Sequence, residues 1–209
     1  MLKYDKIYYK NEMIFMDTKE KKKYYLVLLS MFVAGGLNAY TFFHCGEVFA
    51  TMHTGNLIYT FINLITLNFS AIPKYVFSIL AFLVGILAQH LIVEKLKCGR
   101  KICYALLPVL YVAGFIISIT WENFIVANVL FSFGMGIQFQ MTRSINSFVI
   151  ANTMCSGNMR SMMECLGQYI TTKDKKYLMG IRIYSTLIGM FIVGLVLVTV
   201  ALKYIFQVI

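Results

Sequence analysis

Charge is what this 209-residue sequence has least of: 13% of its residues are charged and only nine are acidic. With 59% hydrophobic residues beside so few charges, the chain has too little polar surface to clothe an apolar core in water, which excludes an ordinary soluble fold. Acid–base machinery is thin as well. There is no His-Glu-x-x-His, no pair of catalytic aspartates and no Gly-x-Ser-x-Gly elbow, the patterns that place a metal, a base or a nucleophile. The chain is therefore read as a non-enzyme. Its five cysteines, Cys45, Cys98, Cys103, Cys155 and Cys165, form no Cys-x-x-Cys pair and mostly lie in or beside apolar segments, where cysteine acts as a small hydrophobe. No disulfide framework, metal site or cofactor is expected. A cleavable leader is not expected either, because the first apolar run is too long for a signal sequence and lacks a small-residue cleavage site.

Long apolar runs are what the sequence has in abundance, and its mean hydropathy is +0.73. Runs near 24–43, 75–93, 102–120, 124–142 and 181–202 each have the roughly 20 residues needed to cross about 30 Å of hydrocarbon. Two more, 48–67 and 147–170, are interrupted by polar residues. Backbone groups in hydrocarbon must be paired within the segment, and runs this continuous suit helices rather than alternating barrel strands. The expected fold is an all-α, polytopic membrane helix bundle of about seven apolar segments. The net charge of +10 does not point to nucleic acid, because the lysines gather at segment ends, where they set orientation. The partner they imply is the lipid bilayer. Residues 1–23 hold seven lysines and read as a basic cytoplasmic tail ahead of a single membrane domain, 24–209.

The polar interruptions resemble each other. FATMHTGNLIY at 49–59 and ANTMCSGNMR at 151–160 share Thr51 with Thr153, Met52 with Met154, Gly55 with Gly157 and Asn56 with Asn158, and Ser156 stands where Thr54 does. Upstream, FVAGGLNAY at 32–40 aligns with SFGMGIQFQ at 132–140, which sets Gly36 over Gly136 and Asn38 over Gln138. The chain thus reads as two related halves, about 24–93 and 124–207, joined by a linker helix at 102–120. Basic residues decide between two arrangements. Seven crossings with parallel halves divide them poorly across the membrane. Five crossings, with the motif segments broken or re-entrant, bring Lys95, Lys97, Arg100 and Lys101 to the same side as Lys173, Lys175, Lys176 and Arg182. Outside the motif segments only Lys74 and Lys203 then lie opposite, so inverted halves with a cytoplasmic N-terminus are the favoured reading and parallel halves the rival.

Thr54 or Ser156, then glycine, then asparagine, makes good helix-start chemistry, and a helix starting within the bilayer presents unpaired N–H groups and a positive dipole end to a solute. Asn38, His53, Thr54, Gly55, Asn56, Gln138, Ser156, Gly157 and Asn158 are therefore the candidate solute-binding residues. Asn56, Thr60 and Asn63 fall on one helix face, and a polar stripe of that kind faces protein or water. The competing reading is close helix packing, with the amides as interhelical glue. Arg160 and Glu164, at i and i+4, form an ion pair read as a structural lock or a coupling element. His53 has Cys155 as its counterpart, which argues against a symmetric proton site. Trp121 reads as an interface anchor, and Pro108 is expected to kink its helix.

These residues carry a resemblance. The run from Gly36 to Ala39 with its amide at Asn38, the motifs at 54–56 and 156–158, and the Gly-x-Gln run at 136–138 leading to Arg143 resemble the YoaK family of bacterial multi-pass membrane proteins, a domain of unknown function. That family usually has Asp where Asn38 stands and Asn where Phe139 stands, which removes an ionisable group at the first position. The resemblance implies a plasma (inner) membrane protein and brings no established substrate. The function expected is a transporter or channel for a small polar or anionic solute bound between the halves. The alternative is a non-transporting scaffold or sensor, and homo-oligomerisation is left open.

Overall fold

A computed structural model describes residues 17–204. The first sixteen residues of the basic tail lie outside the described part, and the chain is already helical from Thr18, six residues before the expected membrane domain. Helix α1 spans Thr18–Phe43 and opens with an N-cap. The Asp17 carboxylate accepts from the Glu20 N–H at 2.7 Å, which satisfies one of the orphan donors of the first turn. Helices α2 (His53–Ile65), α3 (Ile72–Lys95), α4 (Gly99–Thr120), α5 (Phe124–Met141), α6 (Cys155–Thr172) and α7 (Lys176–Tyr204) follow, with a short 3-10 turn at Phe69–Ala71 before α3. The protein is an all-α membrane-type bundle. Five helices, α1, α3 with its preceding 3-10 turn, α4, α5 and α7, are long and apolar enough to cross a bilayer.

The two motif segments are not among those five. Residues 44–52 form a loop in which Gly46 (φ 82°) and Glu47 (φ 61°) reverse the chain, so α2 has only 13 residues. That is about 20 Å of helix, short of a full crossing. The second segment begins with something the apolar pattern does not announce, a two-stranded antiparallel hairpin of β1 (Ser144–Ile145) and β2 (Phe148–Val149). Its turn residues Asn146 and Ser147 both have positive φ, 46° and 73°, the backbone that a two-residue primed turn requires. Pro108 lies inside α4, which continues through it.

Contacts fix the relative directions of four of the helices. Asn128 near the start of α5 donates to the Cys45 carbonyl beyond the end of α1, and Gln138 near the end of α5 donates to the Ser30 carbonyl in the first half of α1. Those two helices are antiparallel. Helix α3 runs parallel to α5, with Ser78 beside Ser132 and Gln89 beside Met141. Helix α1 runs parallel to α7, since Gly35 meets Phe191 while Tyr40 and Leu202, further along both, line one groove. The N-terminal end of α1, the hairpin and the start of α7 share one end of the bundle, where Glu20 accepts from the Asn146 N–H at 3.0 Å and Asn146 contacts Met179.

Helix pairing depends on a pattern absent from the sequence reading. Phe-x-x-Gly occurs on four helices, at Phe32 and Gly35, Phe82 and Gly85, Phe133 and Gly136, and Phe191 and Gly194. In each parallel pair the glycine of one helix faces the phenylalanine carbonyl of the other, reciprocally: Gly35 with Phe191 and Gly194 with Phe32, then Gly85 with Phe133 and Gly136 with Phe82. Helices whose backbones touch have no room for a Cβ at the crossing, and packing of this closeness is what holds helices together where no water remains to be expelled.

Candidate functional site

The two motif segments are built alike, and the construction explains the glycine and the asparagine. Asn56 Oδ1 accepts from the Phe49 N–H at 2.9 Å while its Nδ2 donates to the Phe49 carbonyl at 2.7 Å. Asn158 does the same to Ala151, both bonds at 2.9 Å, and its Nδ2 also donates to the Met154 carbonyl. Each amide thus pairs with a backbone unit seven residues earlier as a β-strand partner would, closing the chain onto the first turn of its helix. The glycine just before each asparagine lets the incoming chain approach: a Cβ on Gly55 would lie 2.9 Å from the Phe49 ring, and one on Gly157 2.9 Å from the Ala151 Cβ.

Two sequence expectations are corrected here. Thr54 and Ser156 are not N-caps, because α2 begins at His53 after Met52 and α6 at Cys155 after Met154, and neither cap residue makes a side-chain bond. Gly55 and Gly157 do not mark breaks, since each is the third residue of its helix. The turning is done upstream, and the motif glycines serve close approach instead.

One cavity of ≈ 350 Å³ is bordered by both segments, Thr51–Gly55 and Thr153–Ser156, with Ile79, Phe82 and Leu83 of α3 and Phe191 of α7 completing its wall. His53, Thr54, Gly55 and Ser156 of the candidate set therefore meet in one place. Asn56 and Asn158 do not border it; both are fully buried and held on backbone. No charged side chain borders the cavity. His53 packs against Phe82 with ring centroids 4.2 Å apart, and its Nε2 is buried without a partner. Among the described residues there is no cluster of three or more His, Cys, Asp or Glu side chains fit for a metal.

The upstream amides behave differently from each other. Asn38 Nδ2 donates to the Thr51 hydroxyl at 2.6 Å and to the Ala34 carbonyl, while its Oδ1 accepts from the Thr51 N–H. Gln138 instead accepts from the Tyr111 hydroxyl at 2.9 Å and donates to Ser30. The register of the Phe-x-x-Gly crossings explains the difference. Asn38 lies three residues after Gly35, and the residue three after Gly136 is Phe139. Phe139, not Gln138, is the positional counterpart of Asn38, so Thr153 lacks the amide that Thr51 has.

The remaining polar residues lie away from the cavity. Thr60 and Asn63 bond the carbonyls of Asn56 and Tyr59 on their own helix. Arg160 Nε and Glu164 Oε1 are 2.8 Å apart with side chains 82% and 59% exposed, an open pair of the kind worth under about 1 kcal/mol in water. The site residues that sequence reasoning passed over are Thr51 and Thr153, although both stood in the quoted motifs. The signal was their identity in both segments.

No curated protein and no solved structure matches the chain. A family model does match, over residues 26–209. By that match, which takes in both motif segments and all the crossing helices save the first eight residues of α1, the chain belongs to DUF1275, a protein family of unknown function.

Proposed function

We propose that the protein is a transporter or channel of the plasma membrane, passing a small polar or anionic solute through the cavity between α2 and α6. The observation that carries this reading is the meeting of two similarly built helix starts at one partly open cavity. Helix N-termini bring unpaired N–H groups and a positive dipole end, and in a bilayer such groups need protein, water or a ligand as partner. The opposed directions of α1 and α5, the parallel pairing of α1 with α7 and of α3 with α5, and the matching asparagine clamps support an inverted repeat. In that architecture solute sites fall at the interface of the halves.

Flux into proteoliposomes tests it. A panel of small neutral and anionic solutes should include at least one that enters faster than into protein-free vesicles, and Ile79→Trp, which fills the cavity from α3, should abolish the difference. No solute entering, or entry unaffected by Ile79→Trp, overturns the reading and leaves a scaffold or sensor in which the motifs only pack helices.

The orientation proposed is N-terminus inside. The start of α1 lies at the same end of the bundle as Arg143 beside the hairpin and the Lys173–Lys176 turn before α7, an excess of positive charge that marks the cytoplasmic side. Cys98, the exposed cysteine in the turn between α3 and α4, is a natural reporter. With the other four cysteines replaced, it should resist a membrane-impermeant maleimide in intact cells and react once they are permeabilised, while Trp121→Cys at the opposite end should label from outside. Labelling of Cys98 in intact cells would reverse the orientation.

A further inference from the structure

We infer that the exposed face of α6 is an interface between two copies of this chain, related by a two-fold axis along the membrane normal and joined by Arg160 of each copy to Glu164 of the other. Such pairing is independent of solute passage through the cavity. Contacts with α7 place α6 in the bilayer. The two helices are antiparallel, since Cys165 lies against Gly180, the Met162 sulfur lies 3.2 Å from the Ser185 hydroxyl, and Cys155 and Ser156 border the cavity together with Phe191. Arg160 therefore lies beside the stretch of α7 between Ser185 and Phe191, inside a crossing helix. Its side chain is 82% exposed, and the bond from Nε to Glu164 Oε1 is the only hydrogen bond of its guanidinium among the described residues. A guanidinium at that depth is costly toward lipid and is retained where protein or water meets it.

The equivalent helix shows that this is not an ordinary lipid-facing surface. At matching positions after the clamp asparagines, α2 turns Leu57, Ile58, Phe61, Ile62 and Ile65 outward, and α6 turns out Met159, Arg160, Met163, Glu164 and Gly167. The same backbone construction thus carries an apolar face in one half and a charged one in the other. The charged face suits a second copy. It holds one positive and one negative side chain a helical turn apart, so a two-fold axis sets each against its opposite. In two parallel copies of α6, Arg160 and the partner's Glu164 are offset by about 6 Å along the helix, within the reach of an arginine side chain. Gly167 has open space where a Cβ would stand, which leaves room for a neighbouring backbone. Met159 and Met163, 47% and 55% exposed, supply unbranched side chains that adapt to a facing surface. An anionic lipid headgroup is a poorer match, because Glu164 beside the arginine repels it. Ser156, at the start of the row, is exposed and borders the cavity, so the partner copy sits at the cavity's edge.

Energy transfer between full-length chains in liposomes, one population carrying a donor dye and the other an acceptor at the N-terminus, tests this. Native chains should show transfer that rises with the protein-to-lipid ratio, saturates, and is competed away by unlabelled native chain. Arg160→Glu leaves two acidic residues on the face and Glu164→Arg two basic ones, so each variant alone should associate at least about tenfold more weakly through like-charge contact. Mixed with each other, the two variants should associate as native chains do. That rescue is specific to contact between copies, because an ion pair within one chain is missing from both variants and mixing cannot restore it. Ile58→Ala, on the corresponding face of α2, should leave association unchanged. Where a charge variant fails to fold, Gly167→Trp carries the test, since its side chain has open space in the single chain and would wedge the two copies apart. A native chain that stays monomeric at every ratio overturns the inference, whether lipid headgroups or water then meet the arginine. Folded charge variants that associate like the native chain, a mixture that does not recover, or association untouched by Gly167→Trp would each overturn it as well.

Discussion

Alanine at Gly35, Gly85, Gly136 or Gly194 is expected to destabilise the protein by about 3 kcal/mol or more, at the upper end of what overpacking costs. At each of these positions the added methyl would overlap a backbone carbonyl of the paired helix: Phe191, Phe133, Phe82 and Phe32 respectively. A backbone carbonyl cannot rotate away as the tip of a side chain can, so the helices themselves would have to separate along their crossing. Gly167 and Gly189 provide the contrast, for a Cβ there meets nothing within 4 Å. Since alanine favours helix over glycine by about 1 kcal/mol at an interior position, Gly167→Ala and Gly189→Ala should be neutral or slightly stabilising. The sign of the effect, not only its size, separates the two groups. Monodispersity in detergent and the midpoint of thermal unfolding measure it. Gly35→Ala as stable as Gly189→Ala would mean that the α1–α7 crossing is not the close contact described.

Removing the amide of Asn56 or Asn158 should also be costly, by about 1 to 3 kcal/mol for the N–H left unpaired, and should be so in the absence of any solute. Alanine at either position leaves a buried backbone N–H without a partner, that of Phe49 or of Ala151, and takes the amide donor from a carbonyl that keeps only a longer bond, from the Ser78 hydroxyl at 3.5 Å or the Met154 N–H at 3.3 Å. Each buried group left unpaired costs about 1 to 3 kcal/mol. Aspartate is the more informative change. It keeps the acceptor for the backbone N–H, loses the donor to the carbonyl, and sets a carboxylate against that carbonyl in a fully buried place, so Asn56→Asp and Asn158→Asp should fold no better than the alanine variants. A solute-binding amide would behave otherwise. Were Asn56→Ala and Asn158→Ala to keep native stability while losing flux, the amides would be ligands rather than clamps.

The class of the protein was legible in one dimension. Hydropathy alone marks the five apolar helices that α1, α3, α4, α5 and α7 turn out to be, because a helix in hydrocarbon satisfies its own backbone and needs only length and composition to be recognised. The motif segments were legible as exceptions to that rule, and their recurrence drew attention to the stretch that borders the cavity. What each motif residue does was not legible. Thr54 and Ser156 looked like caps and do not cap, the glycines looked like breaks and serve close approach, and Asn56 and Asn158 looked like ligands and bind backbone.

Those roles depend on partners six residues or more away, and a residue's type does not reveal which of its hydrogen-bond options is used. The alignment of Asn38 with Gln138 failed for a related reason. Matching by residue type placed the two amides together, whereas the helix crossings set the register through Gly35 and Gly136 and place Phe139 opposite Asn38. Sequence by itself determined how much of the chain enters the bilayer, since burial in hydrocarbon is a sum over local composition. Only the tertiary structure decided which polar atoms are satisfied and that Thr153 is not, because satisfaction is a property of pairs, fixed by the distance between backbones that the glycine crossings allow.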